Sequence, residues 1–287
     1  MNATNLTVEI NEKPHKLIEP QQTSSSNTAK IMPIYKTTNS SSPTSAASVP
    51  PKLYYYGGPV ISNVKVITIW WGGVSSVVYA SQLEGFYAGV TNSKWFRIFN
   101  EQSTSRQTIG MGSWVKSYSD ASAPRGTVTD AMIQSRLYSL IINGYVPKPD
   151  ANTYYAIHFA PGIAITYGGI YASCSYFCAY HSVYVRSGLS NIYYGVMPDL
   201  SVGKCKSCGG SSSVFNNLCT VASHELGEAV TDPYPYTAWY DPNNKDGGEN
   251  GDLCYTQPMV GTVGSNGVTY AVQKMWSNRY NACIGAA

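Results

Sequence analysis

The chain has 287 residues, enough for one large domain or two small ones. Asp, Glu, Lys and Arg make up only 12% of it and the net charge is +3, against about 25% charged residues in an average globular chain. There is no basic run to hold nucleic acid, and no apolar stretch near the ~20 residues that a membrane helix needs.

Residues 1–52 are rich in Ser, Thr, Asn and Pro, almost free of aromatic residues and without hydrophobic period. Such a stretch buries too little apolar surface to fold, and reads as a disordered tail or a removable pro-segment. The N-glycosylation sequons at Asn2, Asn5 and Asn39 all fall in it. Met1–Leu6 offers neither a charged n-region nor an apolar h-region, which leaves a leader outside this sequence, unconventional export or no secretion, the first being favoured.

A folded domain is expected over 53–287. Val64–Trp71 is β-branched and aromatic between Asn63 and Gly72-Gly73, the pattern of a buried strand. Ser81–Val90 reads as a helix and 108–118 contains a strand. Thr127–Asn143 has a capping Thr, apolar residues at helical spacing and a closing Asn-Gly, which marks a helix. Thr153–Phe159 is a strand stopped by Pro161-Gly162. Short strands follow near 165–169, 179–185 and 191–197, then a helix over 214–231 ended by Pro233, and a last strand near 268–273. Strands and helices intersperse without a regular βαβ repeat, so the class is α+β with a mixed sheet.

All seven cysteines (174, 178, 205, 208, 219, 254 and 283) lie in the C-terminal half. The two close pairs, Cys174-x3-Cys178 and Cys205-x2-Cys208, have a possible reading as zinc knuckles. The Ser/Tyr/Gly-rich context favours about three disulfides and one remaining thiol, hence an oxidising compartment.

The densest chemistry lies in Thr220–Pro233, which holds His224, Glu225, Glu228 and Asp232 and no basic residue. In H-E-x-x-H hydrolases a helix presents two zinc ligands one turn apart, and the intervening Glu is general base to the bound water. Here the pattern is H-E-x-x-E, and a carboxylate is an admissible zinc ligand. Projected at ~100° per residue, Val214, Leu218, Val221, Ala222 and Ala229 form an apolar stripe, with Glu225 near its middle and His224 and Glu228 on its edge. Buried carboxylates are costly unless paired or bound to metal. In this reading His224 and Glu228 ligate and Glu225 is the catalytic base. Asp232, Glu249, Asp252 and His181 are the candidates for a further ligand. His158, inside a strand, reads as a core histidine. A carboxylate-rich set admits calcium or manganese beside zinc.

Several separated segments together resemble the EXORDIUM-like, phosphate-induced protein family: Tyr55–Val60 before the Trp70-Trp71-Gly72 strand end, Cys178–Ser182, Ser223–Glu228, Ala238–Tyr240, Gly251–Cys254, and Gln273–Asn278 with Cys283. The likeness spans about residues 54–283. It implies a secreted protein associated in plants with cell-wall growth, and carries His224, Glu225, Glu228, Glu249 and Asp252 over as site residues. Thr231-Asp232-Pro233 departs from the plant pattern, in which Asn is common before Pro. The function expected is a secreted metal-dependent hydrolase, most plausibly a zinc metallopeptidase acting on protein or peptide. Its rivals are a non-catalytic extracellular or cell-wall-associated protein with a structural metal or polar core at the same helix, and a carbohydrate-active enzyme using paired carboxylates.

Overall fold

The computed structural model describes residues 30–33, 50–122, 126–244 and 247–287. Its centre is a six-stranded sheet of β1 (Lys30–Pro33), β2 (Lys65–Trp71), β3 (Ser113–Asp120), β4 (Thr153–Phe159), β5 (Phe177–Tyr184) and β6 (Ile192–Met197). Their order across the sheet is β1-β5-β6-β4-β2-β3. β2, β3, β4 and β6 run parallel; at one edge β5 is antiparallel to β6, and β1, antiparallel to β5, runs again in the direction of the other four. The sheet is therefore mixed and the class α+β, as the sequence implies.

Both faces of the sheet are covered, which explains why its inner strands are apolar without alternation. Val66 and Trp70 enter one core, and Ile67, Ile69 and Trp71 the other. The second core is closed by α2 (Asp130–Ile142) through Ile133, Leu137, Leu140 and Ile141. Thr129 caps this helix by accepting the Met132 N–H at 3.3 Å. The first core holds α1 (Ala80–Val90) and α3 (Val214–Thr231).

α3 begins where Ser213 accepts the Asn216 N–H at 3.3 Å, and it stops before Pro233. It packs against β5 and β6 on one side, and against the Thr269–Val272 strand and the Phe96–Gln102 turn on others. Every residue from Asn217 to Thr231 is buried in consequence. The apolar stripe drawn from the sequence thus has no outward counterpart, because neighbours distant in sequence surround the helix. Gly227 permits the closest approach: a Cβ there would lie 2.7 Å from Phe99 and 2.9 Å from Met275.

Lys30–Pro33 lies within the stretch that composition assigns to a tail, yet it forms the sheet edge. Lys30 pairs with His181 and Met32, 4% exposed, pairs with Ala179. Four residues are too few to leave a periodic signal, and their backbone bonds are satisfied by a strand 150 residues away. The sequons at Asn2, Asn5 and Asn39 lie outside the described residues.

Three disulfides join Cys174 to Cys205, Cys178 to Cys208 and Cys254 to Cys283, and Cys219 is a buried thiol. The two close pairs bridge to each other, so neither forms a zinc knuckle. Among the described residues no helix is long and apolar enough to cross a membrane.

Candidate metal centre

α3 supplies His224, Glu225 and Glu228, β5 supplies His181, and the 247–254 loop supplies Glu249 and Asp252. Each is 2% exposed or less. The loop reaches α3 because residue 251 is glycine: a Cβ there would sit 2.8 Å from both Glu228 Oε1 and His224 Nδ1. Its far end is tied down by the Cys254–Cys283 disulfide.

His224 is held by its outer nitrogen. Nδ1 lies 3.0 Å from Gln273 Oε1, while Gln273 Nε2 donates to the Gly251 carbonyl at 2.7 Å and the Gln273 backbone N–H donates to Ser223 Oγ. The amide oxygen can only accept, so Nδ1 carries the proton and Nε2 points inward. Nε2 lies 3.1 Å from Glu228 Oε1 and 3.7 Å from Asp252 Oδ1. The Asp252 N–H donates to the same Glu228 Oε1 at 2.9 Å.

His181 repeats the arrangement in mirror order. Its Nε2 lies 3.3 Å from the Asp232 carbonyl and 3.6 Å from Glu249 Oε1. Its Nδ1 faces Glu225 Oε2 at 3.4 Å and Glu228 Oε2 at 3.5 Å. Two groups thus bring three ligand atoms within 4.8 Å of one another: His224, Glu228 and Asp252; and His181, Glu225 and Glu228. Five atoms of this cluster, His181 Nδ1, His224 Nε2, both Glu225 oxygens and Glu228 Oε2, are buried without a hydrogen-bond partner.

Electrostatics point the same way. Burial pushes the Glu228 carboxyl up, but the two imidazoles beside it outweigh that and hold it well below the usual carboxylate range. At Glu225 burial prevails over the help of His181 and its pKa is raised. Burial disfavours charge on both imidazoles, and the carboxylates reverse this: His224, beside Glu228, rises to about 9, and His181, beside Glu249, Glu225 and Glu228, rises well above its ordinary value. The pocket between these side chains therefore demands positive charge. A divalent cation fits the donor set: imidazole nitrogens and carboxylates suit zinc, and the oxygen-rich balance suits manganese too.

Asp232 stands apart from both groups. Its carboxylate accepts the N–H groups of Tyr236, Thr237 and Ala238 at 2.7, 3.1 and 2.7 Å, and so shapes the turn that follows α3. Burial raises its pKa to about 6 against these bonds. His158 packs on Trp70, with its Nε2 3.0 Å from Tyr87 Oη, as a core histidine. Gln273 and Gly251 are positions of the candidate centre that the sequence does not single out as site residues. A cavity of about 310 Å³ shares Gln273 with the centre and is lined also by Met32, Cys178, Thr220, Tyr255 and Met259. Comparison with known protein families, curated proteins and solved structures found no match.

Proposed function

We propose that the protein is a secreted, metal-dependent hydrolase of the EXORDIUM-like family, acting as a zinc metallopeptidase. The observation that carries this reading is the arrangement of His224 Nε2, Glu228 and Asp252 around one point, with Glu225 beside it holding two oxygens free of hydrogen bonds. A bound zinc supplies Lewis acidity and makes coordinated water easier to deprotonate near neutral pH. The chain's residues do the rest. Gln273 fixes the His224 tautomer, the Asp252 N–H orients Glu228, and Glu225, its basicity raised by burial, accepts a proton on a carboxylate oxygen. The cavity beside Gln273, with its methionine and tyrosine walls, suits an apolar side chain of a peptide. The disulfides agree with an oxidising compartment.

A second reading has its own support. Each candidate ligand is at most 2% exposed, which suits a structural ion in an extracellular or cell-wall-associated protein. Glu225→Gln separates the two. In a hydrolase it abolishes peptide turnover while the zinc held by His224, Glu228 and Asp252 is retained and Tm stays near wild type. A parent that cleaves no peptide or oligosaccharide, and loses its fold on chelation, is the structural protein instead.

A further inference from the structure

We infer that the centre holds two divalent cations bridged by Glu228. The first would be bound by His224 Nε2, Glu228 Oε1 and Asp252 Oδ1, and the second by His181 Nδ1, Glu225 Oε2 and Glu228 Oε2. This extends the proposed hydrolase site, on which its first ion rests.

Three observations carry it. The two oxygens of Glu228 serve different histidines: Oε1 lies 3.1 Å from His224 Nε2, and Oε2 3.5 Å from His181 Nδ1. Both imidazoles are tethered by the opposite nitrogen to an oxygen acceptor, the Gln273 amide for His224 and the Asp232 carbonyl for His181. That is the outer tether which metal-binding histidines use to present a lone pair inward. A mononuclear site at His224 accounts for one such histidine and leaves the other unexplained. Finally, His181 Nδ1, both Glu225 oxygens and Glu228 Oε2 are buried and lack hydrogen-bond partners, and they lie on the His181 side. One ion at His224 leaves them unsatisfied, at a cost expected for each, whereas a second ion satisfies one oxygen of each carboxylate together with the imidazole. A carboxylate bridge suits ions about 3.5–4 Å apart, the spacing of two-metal hydrolytic sites. Glu225 would then hold the second ion through Oε2 and keep Oε1 to accept the proton.

The test is metal stoichiometry of the full oxidised chain, loaded with zinc, desalted and measured by native mass spectrometry with elemental analysis. Two zinc ions per wild-type chain, falling to one in His181→Ala and to one in Asp252→Ala, are expected. A single ion in the wild type overturns the second site and leaves the hydrolase reading standing. Two ions on a chain that cleaves no substrate do the reverse. No bound metal removes both. Because either variant can misfold, the wild type loaded with manganese gives an independent readout. Exchange-coupled electron paramagnetic resonance is expected from a bridged pair, and an uncoupled six-line spectrum at two equivalents overturns the bridge.

Discussion

The two faces of the central sheet each take carboxylates out of open solvent, Asp130 in part and Glu225 and Glu228 wholly, and they treat them in opposite ways. On the α2 face Asp130 accepts the Tyr180 and Tyr194 hydroxyls at 2.8 Å each through one oxygen, and the Gln134 amide at 2.7 Å through the other. On the α3 face Glu225 has no hydrogen bond at either oxygen and Glu228 none at Oε2. A folded protein supplies donors for a carboxylate whose task is structural. One that is buried and left without them is the ground on which the metal centre is proposed. The contrast therefore adds to what burial alone tells: Asp130 is half-buried and fully partnered, whereas Glu225 and Glu228 are wholly buried and are not.

The largest expected effect that sharpens this contrast is metal removal. Zinc held at a thousand times its dissociation constant stabilises the folded state by about 4 kcal/mol, so chelation should lower Tm by about 10 °C at this size. Calorimetry with and without chelator measures it, and an unchanged Tm in protein shown to have lost zinc would contradict a metal-completed α3 face. On the other face, Asp130→Ala leaves two tyrosine hydroxyls without their acceptor and should cost about 3 kcal/mol. Its zinc content should stay at wild-type level; a loss of metal would mean that the faces are not independent.

His158 tests whether every histidine on the α3 side belongs to the site. Burial lowers its pKa to about 3, from 6.5. Between those values the unfolded chain binds a proton that the folded chain refuses, so stability falls as pH drops below 6.5. From pH 7 to pH 5 this amounts to about 2 kcal/mol. Denaturant titrations should show His158→Asn losing that much less than wild type over the same range, with its zinc retained. Smallest is Gln273→Ala, which frees the His224 tautomer and should weaken zinc binding about tenfold. Competition with a chromophoric chelator reads this directly, and wild-type affinity would show that Gln273 only packs.

Much of this contrast was legible in the sequence, though unevenly. The end of α3 was readable from Pro233, and its chemistry from the spacing of His224, Glu225 and Glu228. What spacing does not encode is which other elements close around a helix. The expected outward side of α3 therefore does not exist, since residues as distant as Phe99 and Tyr270 cover it. Asp232 and Asp252 looked alike as candidates. Their difference lies in backbone geometry: one meets three N–H groups of a turn, and the other sits in a loop brought in by Gly251. Gln273 carries no charge, so nothing in a motif search draws attention to it. The Lys30–Pro33 strand was invisible because its partner strand supplies the reason it is ordered.

The strand order across the sheet also sets a sequence of events in time. β1 is the first described strand to be synthesised, but among the described residues it pairs with β5 alone, so the sheet edge cannot close until residue 181 has been made. The core of the α2 face draws on residues 67–196, and it can consolidate while the remainder is still being translated. His181 appears then, the α3 ligands later, and Asp252 and Gln273 close to the end. During biosynthesis the chain therefore owns the α2-face core before it owns a centre, whose donors come together only as the α3 face closes.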